Sequence, residues 1–322
     1  MRYVHIKNPG SNSRLVIDNT PMPTYKECQI LVRVKATALN RADLMQRYGK
    51  YPPPAGESEI PGLELAGDVV AVGTNVTQFK PGDRVYGLVG SGAFAEYCAV
   101  DASLAHHIPE DWDYTHATAL PESLVTVHAT LFVLGALKSG QTLLVHGAGS
   151  GIASLGIQMA KKIGATVITT VGSASKIEKA RKLGADQVIN YQKQDFEDLI
   201  AENSVDLVLD FIGGDYFNRH LHLLKLGGRL IQISCLNGST VECNLALLMR
   251  KRLQITGFVL RTQSIEEKAC LWKLAHQSWF DLLSQKQISP IIDSEYKLEQ
   301  IEEAQVHMQT SAHFGKIIIH VD

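Results

Sequence analysis

The sequence predicts an α/β protein in which a doubly wound parallel sheet is joined to a mostly-β domain. Three observations carry this. The run Leu143 to Gly156, LLVHGAGSGIASLG, reads as strand, tight turn and helix; strands and helices alternate repeatedly after it; and residues 1 to about 120 carry short strands between Gly and Pro turns.

At 322 residues the chain has room for about two domains. Hydrophobic residues make up 45% and charged residues 20%, the balance of a protein with a large core. The net charge of -2 argues against nucleic acid or an anionic membrane as an obligatory partner. One basic cluster, Arg250, Lys251 and Arg252, reads as a short solvated turn. No apolar run reaches the roughly 18 residues of a membrane span. Arg2, His5 and Lys7 interrupt any signal-peptide pattern, so a cytoplasmic protein is expected. Five scattered cysteines, none at zinc-knuckle spacing, read as reduced structural thiols.

In the first part, Ile30, Val32 and Val34 alternate with Leu31, Arg33 and Lys35 as a half-buried strand, and Val69 to Val72 form a second. Gly73, Asn75, Pro81, Gly82 and Asp83 mark turns, after which Arg84 to Leu88 and Ala95 to Val100 resume extended patterns. These strands suggest a small barrel or sandwich with little helix. From Tyr114 the texture turns helical, through Ala117, Leu120, Leu124 and Leu131. Strands follow at Thr166 to Val171, Gln187 to Tyr191, Val205 to Ile212, Arg229 to Ser234 and Leu253 to Leu260. Helices lie between them at Ser175 to Leu183, Gln194 to Ala201 and Tyr216 to Leu224. Helices at Glu266 to Leu283 and Leu298 to Met308 and a strand at Lys316 to Val321 close the chain and belong with the first domain.

The glycines Gly147, Gly149 and Gly151 fit the dinucleotide spacing in two registers, each failing at its last glycine, at Ile152 or Ser154. Alone, the turn leaves open a glycine-rich connection without a ligand. Its surroundings point further. A carboxylate at the end of the second strand would bind the ribose 2′-hydroxyl of NAD, whereas this strand runs into Gly172, Ser173, Ala174, Ser175 and Lys176, with Tyr191 ending the next strand. Ser173 can hydrogen-bond a 2′-phosphate and Lys176 can pair with it, which favours NADPH over NADH. The alternative for Lys176 is an ordinary exposed residue in the first turn of a helix.

The runs Asn40-Arg41-Ala42-Asp43, Tyr51-Pro52-Pro53-Pro54, Pro61-Gly62-Leu63-Glu64 and Ala119-Leu120-Pro121-Glu122 join the glycine turn, Ser173, Lys176 and Tyr191 in a wider pattern. With them the chain resembles the quinone oxidoreductase family, the zinc-independent medium-chain dehydrogenases/reductases related to zeta-crystallin, and within it the stress-inducible NADPH quinone oxidoreductases. The likeness extends to Gly315-Lys316-Ile317. It implies a GroES-like substrate domain over 1–123 and 268–322, an NADP(H)-binding Rossmann domain over 124–267, an active site between them, and a homodimer. Gly149, Ser150, Gly151 and Ile152 are the implied pyrophosphate contacts, with Gly172, Ser173, Lys176, Tyr191 and Lys316 as further cofactor contacts. Zinc-using relatives place a cysteine where Asn40 stands and a histidine where Leu63 stands, so no catalytic metal is expected. His106 and His107, adjacent on a strand, point apart.

The resemblance further implies that Asn40 and Tyr51 lie beside the nicotinamide, Asn40 anchoring its carboxamide or the acceptor's carbonyl and Tyr51 donating to the oxygen that gains charge. Their plainer readings are a helix cap for Asn40 and a packed aromatic for Tyr51. The implied activity is NADPH-dependent quinone reduction. Reduction of an α,β-unsaturated aldehyde or ketone is the second reading, and a cofactor-binding RNA-binding or crystallin-like structural protein the third. Two positions leave the family pattern: Ala153 stands where relatives carry glycine, and Met45 where some carry a second tyrosine, with Tyr48 out of register.

Overall fold

In the computed structural model, which describes residues 1–321, the chain opens on an antiparallel hairpin, β1 (Arg2–Lys7) against β2 (Arg14–Asn19). Then come β3 (Gln29–Ala38), helix α1 (Arg41–Arg47), β4 (Glu64–Val72), β5 (Arg84–Leu88), β6 (Tyr97–Asp101) and β7 (Ala105–His107). β3 is the centre of this sheet, paired with β4 and β6, and it buries Ile30, Val32 and Val34 while Arg33 stays exposed. The hairpin and α1 are absent from the sequence expectation. α1 is short, so its signal is local: Asn40 is the N-cap residue, and the Asp43 carboxylate three positions on accepts from the Asn40 N–H at 2.7 Å.

Helices α2 (Tyr114–Thr118) and α3 (Pro121–Val127) lead into a π-helical stretch, His128–Leu134. Tyr114–Leu134 is long and apolar enough on average to cross a membrane, which corrects the expectation that nothing reaches that length. Pro121, Glu122 and Ser123 break the run of apolar letters without lowering the mean enough. Of its apolar window 78% is buried inside the protein, as in a core helix.

The alternating part forms β8 (Thr142–Val145), α4 (Gly151–Lys162), β9 (Thr166–Val171), α5 (Ser175–Lys182), β10 (Gln187–Asn190) and α6 (Phe196–Leu199). It continues through β11 (Val205–Asp210), α7 (Tyr216–Leu223), β12 (Leu224–Gln232), α8 (Leu245–Lys251) and β13 (Gln254–Gly257). The six strands are parallel, in the order β10-β9-β8-β11-β12-β13. This is the doubly wound order, with its reversal between β8 and β11, where ligands bind at the strands' carboxyl ends. Leu143, Leu144 and Val145 are fully buried at its centre.

The chain ends with α9 (Ile265–Ser284), β14 (Ile292–Lys297), α10 (Ile301–Gln309) and β15 (Lys316–His320). β15 pairs antiparallel to β3 and parallel to β14, completing a seven-stranded sheet. The molecule divides into two units: residues 1–124, 261–285 and 290–322 in the first, and 125–260 and 286–289 in the second. The first unit resumes at Arg261, beside an expected domain boundary at 267/268. The physical reason is Arg261, which donates to Gln46 Oε1 at 2.8 Å, the Gly90 carbonyl at 2.9 Å and the Tyr51 carbonyl at 3.0 Å, all in the first unit.

The basic cluster is not a solvated turn. It ends α8, where Arg252 caps the helix in the left-handed region and Lys251 Nζ donates to the carbonyls of Leu221, His222 and Leu224. A lysine among helix C-terminal carbonyls satisfies groups that α7 leaves unpaired.

Candidate active site

In the second unit, β8 delivers the chain to Gly147, whose φ of +63° lies in the left-handed region, and α4 starts at Gly151. Two bonds hold the turn against the end of β9: the Ala148 N–H donates to the Thr170 carbonyl at 2.9 Å, and the Gly147 N–H to Thr170 Oγ1 at 3.1 Å. Ser150 is the N-cap of α4, its hydroxyl accepting from the Ala153 N–H at 3.0 Å. Gly149, Ser150, Gly151 and Ile152 are part-exposed at the mouth of a twelve-residue helix, whose first N–H groups and positive dipole end suit a phosphate. Ala153 is fully buried, its methyl absorbed into the packing beneath the turn.

Gly172, Ser173, Lys176 and Tyr191 come together beyond the ends of β9 and β10. The Tyr191 N–H donates to the Val171 carbonyl at 3.1 Å, and a Cβ built on Gly172 would lie 2.5 Å from the Tyr191 hydroxyl. The phenol rests on the Gly172 backbone, so a larger residue there would displace the Tyr191 ring. The Ser173 and Ser175 hydroxyls are 3.0 Å apart, and no carboxylate occurs over 172–176. These residues fit a 2′-phosphorylated dinucleotide. Lys316 lies in the first unit, bonded to Asn40 and Glu64.

In the first unit the structure gathers around Asn40 and Lys316 three carboxyl groups, Glu64, Asp43 and Glu122, that sequence reading did not assign to the site. Glu64, fully buried at the start of β4, pairs with Lys316 through Oε1, accepts from Asn40 Nδ2 at 2.8 Å through the same oxygen, and accepts from the Glu122 N–H at 2.8 Å through Oε2. Asn40 Oδ1 in turn accepts from Lys316 Nζ at 2.9 Å. The amide hydrogens of Asn40 face Glu64 and, at 3.4 Å, the Ala38 carbonyl. The Asn40 side chain is thus fixed from both ends, its oxygen by Lys316 and its amide hydrogens by Glu64 and the Ala38 carbonyl. Asp43 is held by the N–H groups of Asn40 and Gly62, yet burial pushes its carboxyl up to about 7. The clue in the sequence was a carboxylate set in apolar company, at Leu63-Glu64-Leu65 and Leu120-Pro121-Glu122.

Tyr51 lies in the loop after α1, with the Arg261 guanidinium 5.0 Å from the centre of its ring. Burial, followed by the nearby Glu122 charge, pushes its phenol up to about 12, so it holds its proton at neutral pH. Tyr48 is committed elsewhere, accepting from Gln309 Nε2. His106 stacks on His276 at 3.9 Å while His107 turns outward to the Gln78 carbonyl at 3.1 Å, so the two point apart.

Burial, and then the charge of Glu64, push Glu122 up to about 8. The folded value exceeds the ordinary one of about 4.3, so between the two the folded chain keeps a proton that the unfolded chain has lost. This stabilisation is full below the unfolded value and is lost as pH rises through about 8, and Asp43 acts with the same sign toward about 7. The wild-type protein should melt lower at pH 8.5 than at pH 5.5. Glu122→Gln, neutral at both, should lose less across that interval, by on the order of 1–3 kcal/mol. An equal drop in both proteins would show that Glu122 is not the titrating group.

Two family models match the chain: residues 26–110 match the alcohol dehydrogenase GroES-like domain, and residues 151–277 the zinc-binding dehydrogenase model. A 2-methylene-furan-3-one reductase of Solanum lycopersicum is 32% identical over 94% of this chain and 74% of its own length. The chain belongs to the medium-chain dehydrogenase/reductase superfamily. Its mostly-β unit is the GroES-like domain of that superfamily, and its six-stranded unit the Rossmann domain. Another superfamily relative, the human quinone oxidoreductase, is 29% identical over 99% of this chain and 97% of its own length. Danio rerio synaptic vesicle membrane protein VAT-1 homolog is 32% identical, and the chain spans 65% of its length. Among solved superfamily structures, the Escherichia coli quinone oxidoreductase complexed with NADPH superposes with a TM-score of 0.87 at 28% identity, covering 99% of both chains.

Proposed function

We propose that this protein catalyses the NADPH-dependent reduction of quinones by hydride transfer without a metal. The observation that carries the reading is the grouping of Gly172, Ser173, Lys176 and Tyr191 with no carboxylate, beside a glycine turn that opens α4. The solved relative named a quinone oxidoreductase with NADPH supports the cofactor and the acceptor class. In this reading Gly149 to Ile152 receive the pyrophosphate at the helix mouth, and Ser173, Lys176 and Tyr191 receive the 2′-phosphate. Reduced nicotinamide supplies the hydride when bound.

The chain's own part is orientation and a proton. The Tyr51 phenol donates to the acceptor oxygen that gains charge, then recovers a proton from water, so one hydride and one proton enter the product. Asn40, held by Glu64 and Lys316, offers a fixed acceptor to a carboxamide. Neither Asn40 nor the buried Leu63 is a zinc ligand, in keeping with a metal-free reaction. Within this reading the protein is a cytoplasmic homodimer. The edge strand β13, with Ile255 exposed, offers the open ladder that a second copy can pair with.

Reduction of an enone is the second reading, favoured by the relative named a 2-methylene-furan-3-one reductase. NADPH oxidation against a panel of quinones and enals, with NADH as control, separates the two, and a preference for NADH would overturn the cofactor assignment. Tyr51→Phe should lower kcat with a quinone by about 100-fold. Unchanged turnover would take Tyr51 out of the chemistry.

A further inference from the structure

A buried polar chain runs beneath the glycine turn of the Rossmann unit. His146, immediately before Gly147, and His220, on α7, are both buried, and their Nε2 atoms are 2.8 Å apart. Two ring nitrogens at that distance share a single hydrogen. On one side, His146 Nδ1 is 3.1 Å from Thr170 Oγ1, the atom that accepts the Gly147 N–H. On the other, His220 Nδ1 faces Asp210 Oδ2 across 3.5 Å, a charge contact longer than a made hydrogen bond. Asp210 also collects the N–H of Ile212 at 2.6 Å and that of Gly213 at 3.2 Å.

One arrangement of hydrogens turns a donor, and not a lone pair, toward the Asp210 carboxylate. The carboxylate accepts, so His220 carries its hydrogen on Nδ1 and leaves Nε2 as acceptor. His146 therefore donates from Nε2 and accepts at Nδ1 from the Thr170 hydroxyl, whose oxygen takes the Gly147 N–H. Every donor points the same way, from the turn to Asp210. Burial holds His146 far below the ordinary histidine range, and although burial also works to raise Asp210, the adjacent His220 ring and the Ile212 N–H bring it down. Phe196 and Tyr216 pack edge-on against His146, each with its ring centre 5.2 Å away, and shield the chain from water.

We propose that His146 and His220 are positioning residues that, through Thr170 and Asp210, tie the glycine turn to the Ile212–Gly214 loop, so that the two loops open and close as one. Its consequence for ligand affinity rests on the cofactor reading above. Ring ¹⁵N spectra at neutral pH should show His146 as the Nε2–H tautomer and His220 as the Nδ1–H tautomer. His220→Leu should speed amide exchange at Gly147 and at Gly213 together and weaken NADPH binding by about tenfold. His220→Gln, whose side-chain oxygen can accept where Nε2 does, should restore most of both. If His220→Leu fails to fold, Thr170→Val cuts the chain at its other end and is read the same way. Opposite tautomers, or faster exchange at one loop alone, would overturn the coupling. Coupled exchange in a wild-type protein that binds no NADPH would leave the coupling standing and remove the cofactor reading.

Discussion

Lys316→Met is expected to destabilise the protein by about 3–5 kcal/mol, the cost of leaving a buried carboxylate without its partner. Glu64 is fully buried and Lys316 nearly so, and the ammonium is the cation bonded to Glu64 Oε1. The other donors to Glu64, Asn40 Nδ2 and the Glu122 N–H, are neutral. Urea denaturation reads the loss directly. Adding Glu64→Gln to the variant should recover much of it, because no charge then remains to be paired. If the double variant is no more stable than Lys316→Met, the lysine serves packing and not charge.

Ser173→Asp should reverse the choice of cofactor. A carboxylate there repels a 2′-phosphate and accepts from a ribose hydroxyl, so NADPH should bind on the order of 100-fold more weakly while NADH binds as well as before or better. Fluorescence titration with each cofactor checks it. NADPH affinity unchanged by the substitution would place the phosphate away from the Ser173–Tyr191 corner.

The two kinds of element were legible in the chain to different degrees. The parallel sheet showed itself because its strands carry short apolar runs, such as Leu143 to Val145 and Leu207 to Leu209, bounded by helices of clear period. The hairpin and β14 did not, since RYVHIK and IDSEYK mix charged and apolar residues at half-exposed positions. Gly172, Ser173 and Lys176 were readable as a group because they share one short stretch, with Tyr191 one strand further on. The Asn40–Glu64–Lys316 set was not, because its members stand on α1, β4 and β15 and meet only when β15 closes on β3. Residue type carried half of that information, the oddity of Glu64 among apolar neighbours, and the fold supplied the partner.

The return of the chain's tail to its first sheet has a consequence for synthesis. Ala38 pairs with Ile318, so the sheet containing β3 cannot be completed until β15 has left the ribosome, and its loop-closure cost is correspondingly high. The six parallel strands, by contrast, are all made once Gly257 has emerged. The order usual for chains built from their N-terminus is inverted: the parallel sheet can fold while β3, made before it, waits for β15.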